Sequence, residues 1–576
     1  MSGSPPGEDT ALLGSISEEN ECDVGLEREY HEHNLALPKI PILVSLWLGS
    51  FLVALDGTIV ANVMNRIAEE FQESDKKQWI ATSFLLTNTA FQPLYGKLSD
   101  VATGRKLATL IAQFFFFLGL IISCFAQNVT QFAIGRAVCG IGGGGVSAMS
   151  SIAVSDICTA KERGMYQGYA NIVFGSGQLL GAPLGGLLIT TIGWRAIFAI
   201  QVPMALFCMF LTGRNVNIKL AHLPSRNERF TLKNLSRLDL LGSCTLVLSI
   251  SGLLFLFSTS MNRTWISAFT IVTFAIFIYN ERFWAKERII PFDLLCGTSG
   301  ITSLLTVLSS FIMFGDVFRS PIYLQIVQNV SLAKSGIFIL FGSVACAATS
   351  VLTGWIIRRT TMDLVKCTYL IVLVMIFLQL VGTASNAILI ANLIPNNTTY
   401  ADKDVAIKVA LSAKGFTWKV VYVFSTVLNS FGYGGVLVAV LVSIVFTVPK
   451  SQQATLTGVF YLWRSIGNVL GTSITLALYD LILKSKLRVF MEAHGLSKSY
   501  SKLVRDSGYL RNHFSGETLA ELLGVYNESF LWSFGPNIVV GLVAVILAYV
   551  LVRKYRPLEQ QGVHLAAGER SDACKH

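Results

Sequence analysis

Fourteen runs of about 18 to 26 mostly apolar residues follow one another along this chain, and they decide its solvent before any motif does. A helix rising 1.5 Å per residue needs about 20 such residues to cross a hydrocarbon layer, where no water can satisfy a stray backbone N–H or C=O. The runs begin near Pro41, Trp79, Leu107, Gln131, Gly164, Trp194, Leu238, Trp265, Ile301, Ser335, Asp363, Trp418, Gln453 and Ser533. With 52% hydrophobic and only 14% charged residues, the 576-residue chain has too little polar surface for a water-soluble fold. It reads as an all-α, multi-pass membrane protein.

An even number of crossings puts both termini on one side. The net charge of +10 supplies the orientation, because Lys and Arg gather in cytosolic loops. One set of short loops carries Arg105, Lys106, Lys161, Arg163, Arg214, Lys219, Arg282, Lys286, Arg288, Arg358, Arg359 and Lys366; the other carries chiefly Lys76, Lys77, Arg263 and Lys334. Both termini are therefore expected in the cytosol, and the positive charge is read as topology rather than as a nucleic-acid surface. The acidic opening segment has no apolar h-region, so the first helix is expected to act as its own insertion signal. Glycosylation sequons agree with this orientation: Asn128, Asn262, Asn329, Asn396, Asn397 and Asn527 fall in loops it makes lumenal, and only Asn234 does not. Ten scattered Cys suggest neither a disulfide framework nor a metal site, and no cofactor is expected. A long lumenal segment, 484–531, with His494 and His513, reads as a packed or mobile cap; its histidines leave open a gate or a lumenal pH sensor.

Charge inside such runs is costly, roughly 2.5 to 3.5 kcal/mol near a bilayer centre, and normally faces a bundle interior or a watery cavity. Asp56 in the first run is the leading case, and Arg136 in the fourth is its obvious partner. Asp316 in the ninth has Arg319 one turn on, which reads either as a structural pair or as a second carboxylate for a cationic cargo.

Three motifs then carry a resemblance. The turn Gly96-Lys97-Leu98-Ser99-Asp100-Val101-Ala102-Thr103-Gly104-Arg105-Lys106 resembles the signature loop of the major facilitator superfamily, with one residue extra between Asp100 and Gly104 and Val101 in place of the usual base. Gly135-Arg136 with Gly140 resembles its helix 4 motif. Gly181-Ala182-Pro183-Leu184-Gly185-Gly186 resembles its helix 5 antiporter motif, the proline displaced by one. LDGTIVANV, WIATSFLLTNTAFQPLYGKLSD, GWRAIFAIQVP, RLDLLG, IYLQIVQ and ATLTGVFYLWRSIGNVLGTSI narrow the likeness to the fourteen-spanner drug:proton antiporter family.

That resemblance implies two six-helix halves, 39–214 and 291–552, related by a pseudo-two-fold axis, with two inserted helices in 215–290 and cytosolic tails at 1–38 and 553–576. It implies a charge latch at Asp100 and Arg105, exchange rather than uniport, and a central site lined by helices 1, 4, 9 and 12. The expected proton-coupling pair is Asp56 and Arg136, and the expected substrate-binding set is Asp56, Asn62, Asp316, Tyr323, Gln325, Asn429 and Tyr433. Asn88, Gln178 and Asn468 are further cavity candidates.

The tail segment Glu8-Asp9-Thr10-Ala11-Leu12-Leu13 fits the acidic dileucine pattern that cytosolic sorting adaptors read. Together with the loops above, it makes the chain most similar to the fungal vacuolar basic amino acid transporters. The resemblance implies import of lysine, arginine or histidine into an acidic vacuole in exchange for protons, with membrane lipid as the remaining partner. A plasma-membrane drug:proton exporter is the alternative, followed by a siderophore transporter or a non-transporting nutrient receptor. No nucleophile elbow, phosphate loop or zinc signature lies outside the runs, so an enzyme is not expected.

Overall fold

The computed structural model describes residues 29–30, 32–73, 77–220, 239–258, 263–285, 297–330, 332–392, 417–446, 453–494 and 516–555, with isolated positions between them. Every described element is helical. In order they are α1 (Lys39–Glu70), α2 (Lys77–Leu98), α3 (Gly104–Cys124), α4 (Val129–Ile157), α5 (Ala160–Thr191), α6 (Trp194–Asn215), α7 (Leu240–Ser258) and α8 (Arg263–Phe283). Then come α9 (Gly297–Ile326), α10 (Leu332–Arg359), α11 (Leu364–Asn392), α12 (Thr417–Phe446), α13 (Gln453–Ala493), α14 (Gly516–Trp532) and α15 (Gly535–Arg553). Helices α1 to α13 and α15 correspond to the fourteen expected runs, each starting within four residues of its expected position, and among the described residues eleven stretches are long and apolar enough to cross a membrane. Helix α1 begins and α15 ends on one side of the membrane, the terminal side; the other is the far side.

Local chemistry sets several of these boundaries. The side-chain oxygen of Asn128 accepts the Gln131 N–H and starts α4, and Thr159 with Glu162 forms a reciprocal capping box that starts α5. Gly193, at φ +83°, supplies the left-handed residue from which α6 departs.

Packing repeats after a shift of eight helices. Helix α1 lies on α5, and α2 and α3 lie on α4; likewise α9 lies on α13, and α10 and α11 lie on α12. Small residues permit the closest seams, since helix association in lipid relies on van der Waals contact rather than on hydrophobic exclusion. A Cβ at Gly140 or Gly144 would collide with the α2 backbone around Phe84 and Asn88, and one at Gly142 with α3 around Ala112 and Phe116. Helix α4 is thereby wedged between its two neighbours. The inserted pair α7 and α8 covers α2 and α13 through a cluster of Ala90, Leu246, Ile250, Phe277, Val459 and Leu462.

The far-side segment 484–531 is less of a loop than its polarity suggests. Helix α13 continues through Lys484 to Ala493, and α14 returns along it. Leu503, Leu510, Leu522, Leu523, Tyr526 and Phe530 bury against Tyr323, Trp418 and Tyr422 of the C-terminal half, so the described part is a packed cap. His494 lies exposed on it, its Nε2 3.3 Å from Glu521 of α14.

Candidate functional site

Arg136 of α4 donates Nη1–H to Asp56 Oδ2 of α1 at 2.5 Å, with 1% and 0% of the two side chains exposed. The Phe84 ring of α2 lies 4.5 Å from the guanidinium carbon. Asp56 Oδ1 and Arg136 Nε have no hydrogen-bond partner, so the buried carboxylate keeps one oxygen unsatisfied by protein groups. Cargo in an open cavity does not touch Asp56 in this conformation. Immediately around it, α1 is held by the α5 glycines: Cβ atoms at Gly177 and Gly181 would press on Phe51, Leu55 and Thr58, and one at Gly185 would touch Ile59. Pro183 and Gly186 lie within the unbroken α5, but their side-chain environment is outside the described residues, as is that of Asn62.

The equivalent helix of the other half, α9, carries Asp316, but this carboxylate is saturated. Arg319 and Asn537 Nδ2 donate to its Oδ1, the latter at 3.1 Å; Asn429 Nδ2 and Thr383 Oγ1 donate to its Oδ2 at 2.5 and 3.2 Å. These donors come from α9, α15, α12 and α11, and Arg319 also donates to the Ser533 carbonyl at 2.9 Å. Asp316 and Asn429 therefore point into the C-terminal half rather than into the cavity, correcting the expectation that they meet cargo. Tyr323 is likewise withdrawn: it stacks on Tyr422 beneath the cap, and its Oη accepts from Gln328 Nε2 at 3.0 Å. Gln325 donates to Ser335 Oγ at 3.3 Å near the same end. Asn88 is half-buried beside the α4 glycines, Gln178 is exposed on α5, and Asn468 is half-buried with its Oδ1 unpartnered.

The contacts that join the halves gather on the terminal side. Tyr461 of α13 is hydrogen-bonded to Ser151 of α4, and its Oη accepts from Gln167 Nε2 of α5 at 3.3 Å. Arg163 Nη2 reaches Gln453 Oε1 at 3.1 Å, Asn171 Nδ2 reaches Ser350 Oγ at 3.1 Å, and Ser465 donates to Gln92 Oε1 at 3.1 Å. Helices α5 and α10 meet backbone to backbone at Gly164, Gly168 and Gly354. By contrast, a Cβ at Gly57 on α1 or at Gly175 further along α5 would meet open space. The cavity is closed on the terminal side and opens toward the far side.

One turn along α13 from Tyr461 lies Arg464, which the sequence analysis did not single out. Its Nε donates to Tyr433 Oη of α12 at 3.1 Å, so the buried Tyr433 holds a cation.

The loop after α2 explains its extra residue. Ser99–Thr103 forms a π-helical turn, which accommodates one more residue than an α-turn, and Gly104 reverses the chain at φ +68°. Gly96 supplies the carbonyl that accepts from Ser99 Oγ. Arg105 then reaches Asp100 at 2.6 Å as expected, and also Asp156 at the end of α4 at 2.7 Å. Asp156 was missed because it sits 51 residues away.

Among the sequons, Asn128 caps α4 and Asn329 is exposed at φ +53°. Asn527 is a correction: it lies within α14, and its Nδ2, the atom a glycan would modify, donates to the Ile390 carbonyl at 3.2 Å. Asn262, Asn396, Asn397 and Asn234 lie outside the described residues, as do Glu8, Leu12 and Leu13.

Two pseudo-equivalent helical halves with a cavity closed at one end define a membrane transporter of the alternating-access type. The chain belongs to the Major Facilitator Superfamily, whose family model matches residues 46–472. It is 56% identical over 536 residues to the Vacuolar basic amino acid transporter 1 of Saccharomyces cerevisiae, covering 92% of this chain and 95% of that one. It is 30% identical over 527 residues to the Multidrug resistance protein fnx1 of Schizosaccharomyces pombe, covering 89% and 92%. Its fold matches that of the proton:xylose symporter XylE with a TM-score of 0.55 at 15% identity, covering 89% of this chain and 95% of that one.

Proposed function

We propose that the chain is a proton-coupled antiporter that moves basic amino acids into an acidic vacuole, with the terminal side cytosolic and the far side lumenal. The observation that carries the coupling is the fully buried Asp56–Arg136 pair, in which Asp56 Oδ1 accepts no hydrogen bond and is free to take a proton. This supports Asp56 as the proton site rather than a direct cargo contact. The similarity to the Saccharomyces cerevisiae transporter supports the cargo class and the vacuolar membrane. Each pH unit is worth about 1.4 kcal/mol per proton, so a gradient of two units sustains roughly 100-fold accumulation for one proton exchanged per cargo.

The test is uptake of labelled lysine, arginine and histidine into reconstituted vesicles acidified inside, with and without a protonophore. Gradient-dependent accumulation of these three is the expected result. Accumulation of amphipathic cations in their place would favour the drug exporter that the Schizosaccharomyces pombe relative keeps in view.

Vacuolar delivery is assigned to Glu8, Leu12 and Leu13, read by a cytosolic adaptor. Replacing both leucines by alanine should redirect most of a fluorescently tagged protein to the cell surface. Unchanged vacuolar fluorescence would leave the dileucine without a role.

A further inference from the structure

We propose that Arg464 binds the α-carboxylate of the cargo and is the residue by which this transporter tells an amino acid from any other cation. The proposal rests on the amino-acid reading above and adds the group that reads the amino-acid backbone.

The first observation is a charge imbalance. Among the described arginines buried in helices, Arg105, Arg136 and Arg319 each hold a carboxylate, and Arg163, at the terminal-side end of α5, donates to the Ser155 carbonyl and to Gln453. Arg464 holds a phenol: its Nε donates to Tyr433, and its guanidinium carbon lies 5.9 Å from the Tyr461 ring centre. A guanidinium is always charged, and leaving one out of water without a counter-anion is costly.

The second observation is direction. Arg464 stays half-buried while Tyr433, Tyr461 and Ser465 around it are buried. Part of its side chain therefore remains accessible beyond the Tyr433 hydrogen bond. Tyr461 on one side touches α4 and α5 of the opposite half, and Tyr433 on the other belongs to α12, so Arg464 stands at the seam between the halves. Arg464 is eleven residues beyond Gln453, about 16 Å along α13, which places it near the middle of the membrane. It lies one turn toward the far side from Tyr461, whose hydrogen bonds to Ser151 and Gln167 join the halves.

The third step is chemical. Lysine, arginine and histidine differ in their side chains and share one anionic group. A planar guanidinium with its Nε pinned by Tyr433 presents Nη donors in a fixed fork, which suits the two oxygens of a carboxylate. Cationic drugs and simple amines offer nothing to such a fork and would leave it desolvated and unpaired.

The experiment compares labelled lysine uptake into acid-inside vesicles, competed by unlabelled lysine or by lysinamide, which keeps both amines and lacks the carboxylate. In the wild type, lysine should compete roughly 10- to 100-fold better than lysinamide. Arg464→Gln should weaken lysine by a similar factor and leave lysinamide unchanged, erasing the preference, whereas Arg464→Lys should keep part of it. Monodisperse elution in detergent checks that each variant folds, and the wild-type comparison stands without any variant. Equal competition in the wild type, or a preference intact in Arg464→Gln, would overturn the assignment while leaving lysine transport established. Absence of any gradient-driven lysine uptake by the wild type would instead remove the functional reading, and this one with it.

Discussion

Asp56→Asn abolishes gradient-driven accumulation: under two pH units, the ratio of internal to external lysine falls from about 100 to about 1. The substitution keeps the shape of the side chain and one acceptor for Arg136, but removes the only group in the pair that can gain and lose a proton. Gradient-independent exchange of labelled for unlabelled lysine should survive, because α1 and α4 still move and Arg464 is untouched. One confounding effect is foreseeable. Neutralising Asp56 strands the 1%-exposed Arg136, and breaking a buried pair from one side costs about 3 to 5 kcal/mol. The double replacement Asp56→Asn with Arg136→Gln removes both charges and should recover detergent stability without recovering accumulation. Normal acid-driven uptake by the folded single variant would take Asp56 out of the mechanism.

How much of this was legible in the sequence depended on whether the signal was local. Crossings are local, since each apolar run satisfies its own backbone and announces its own length, and all fourteen starts were readable. Asp56 and Arg136 were readable as a pair because a lone intramembrane charge needs a partner and the first half of the chain offered few. Asp316 was visible too, but its meaning was not. The i, i+3 arginine suggested the structural reading, and what settles it is Asn537 and Thr383, lone polar residues 221 and 67 positions away. Arg464 was hidden for another reason: an arginine in the first third of a helix looks like a boundary charge, and only the packing shows that it stands near mid-membrane without a carboxylate. Asn527 failed because a sequon records three residue types and nothing about whether a helix has already claimed the amide.

Gly354→Leu should be the most damaging change on the closed side of the cavity, and it should act on the access equilibrium rather than on binding. Helices α5 and α10 touch there through backbone alone: a Cβ on Gly354 would collide with the backbone of Gly164 and Met165, and one on Gly168 would stand 2.8 Å from the Val351 backbone. Ordinary carbon contacts need about 3.5 to 4.0 Å, so any side chain forces the seam apart by roughly 1 Å, and leucine by more. Overpacking of this kind costs about 1 to 3 kcal/mol, a 5- to 150-fold shift between two conformations if only one of them contains the contact. The conformation with the closed seam contains it, and the one that opens toward the terminal side does not need to. The variant should therefore rest open to that side, with Tyr461 parted from Ser151 and Gln167. Vesicle uptake should fall at least tenfold while lysine binding to the purified protein persists. A cysteine placed at Val438, which packs on the Gly164 side of the seam, should become reactive to an impermeant maleimide from the terminal side. Gly213→Leu is the matched control, the same substitution near the terminal-side end of α6 where a Cβ meets open space away from the cavity, and should transport normally. Unimpaired transport by Gly354→Leu, or loss of uptake with Val438→Cys still shielded, would show that the glycine seam is not the gate.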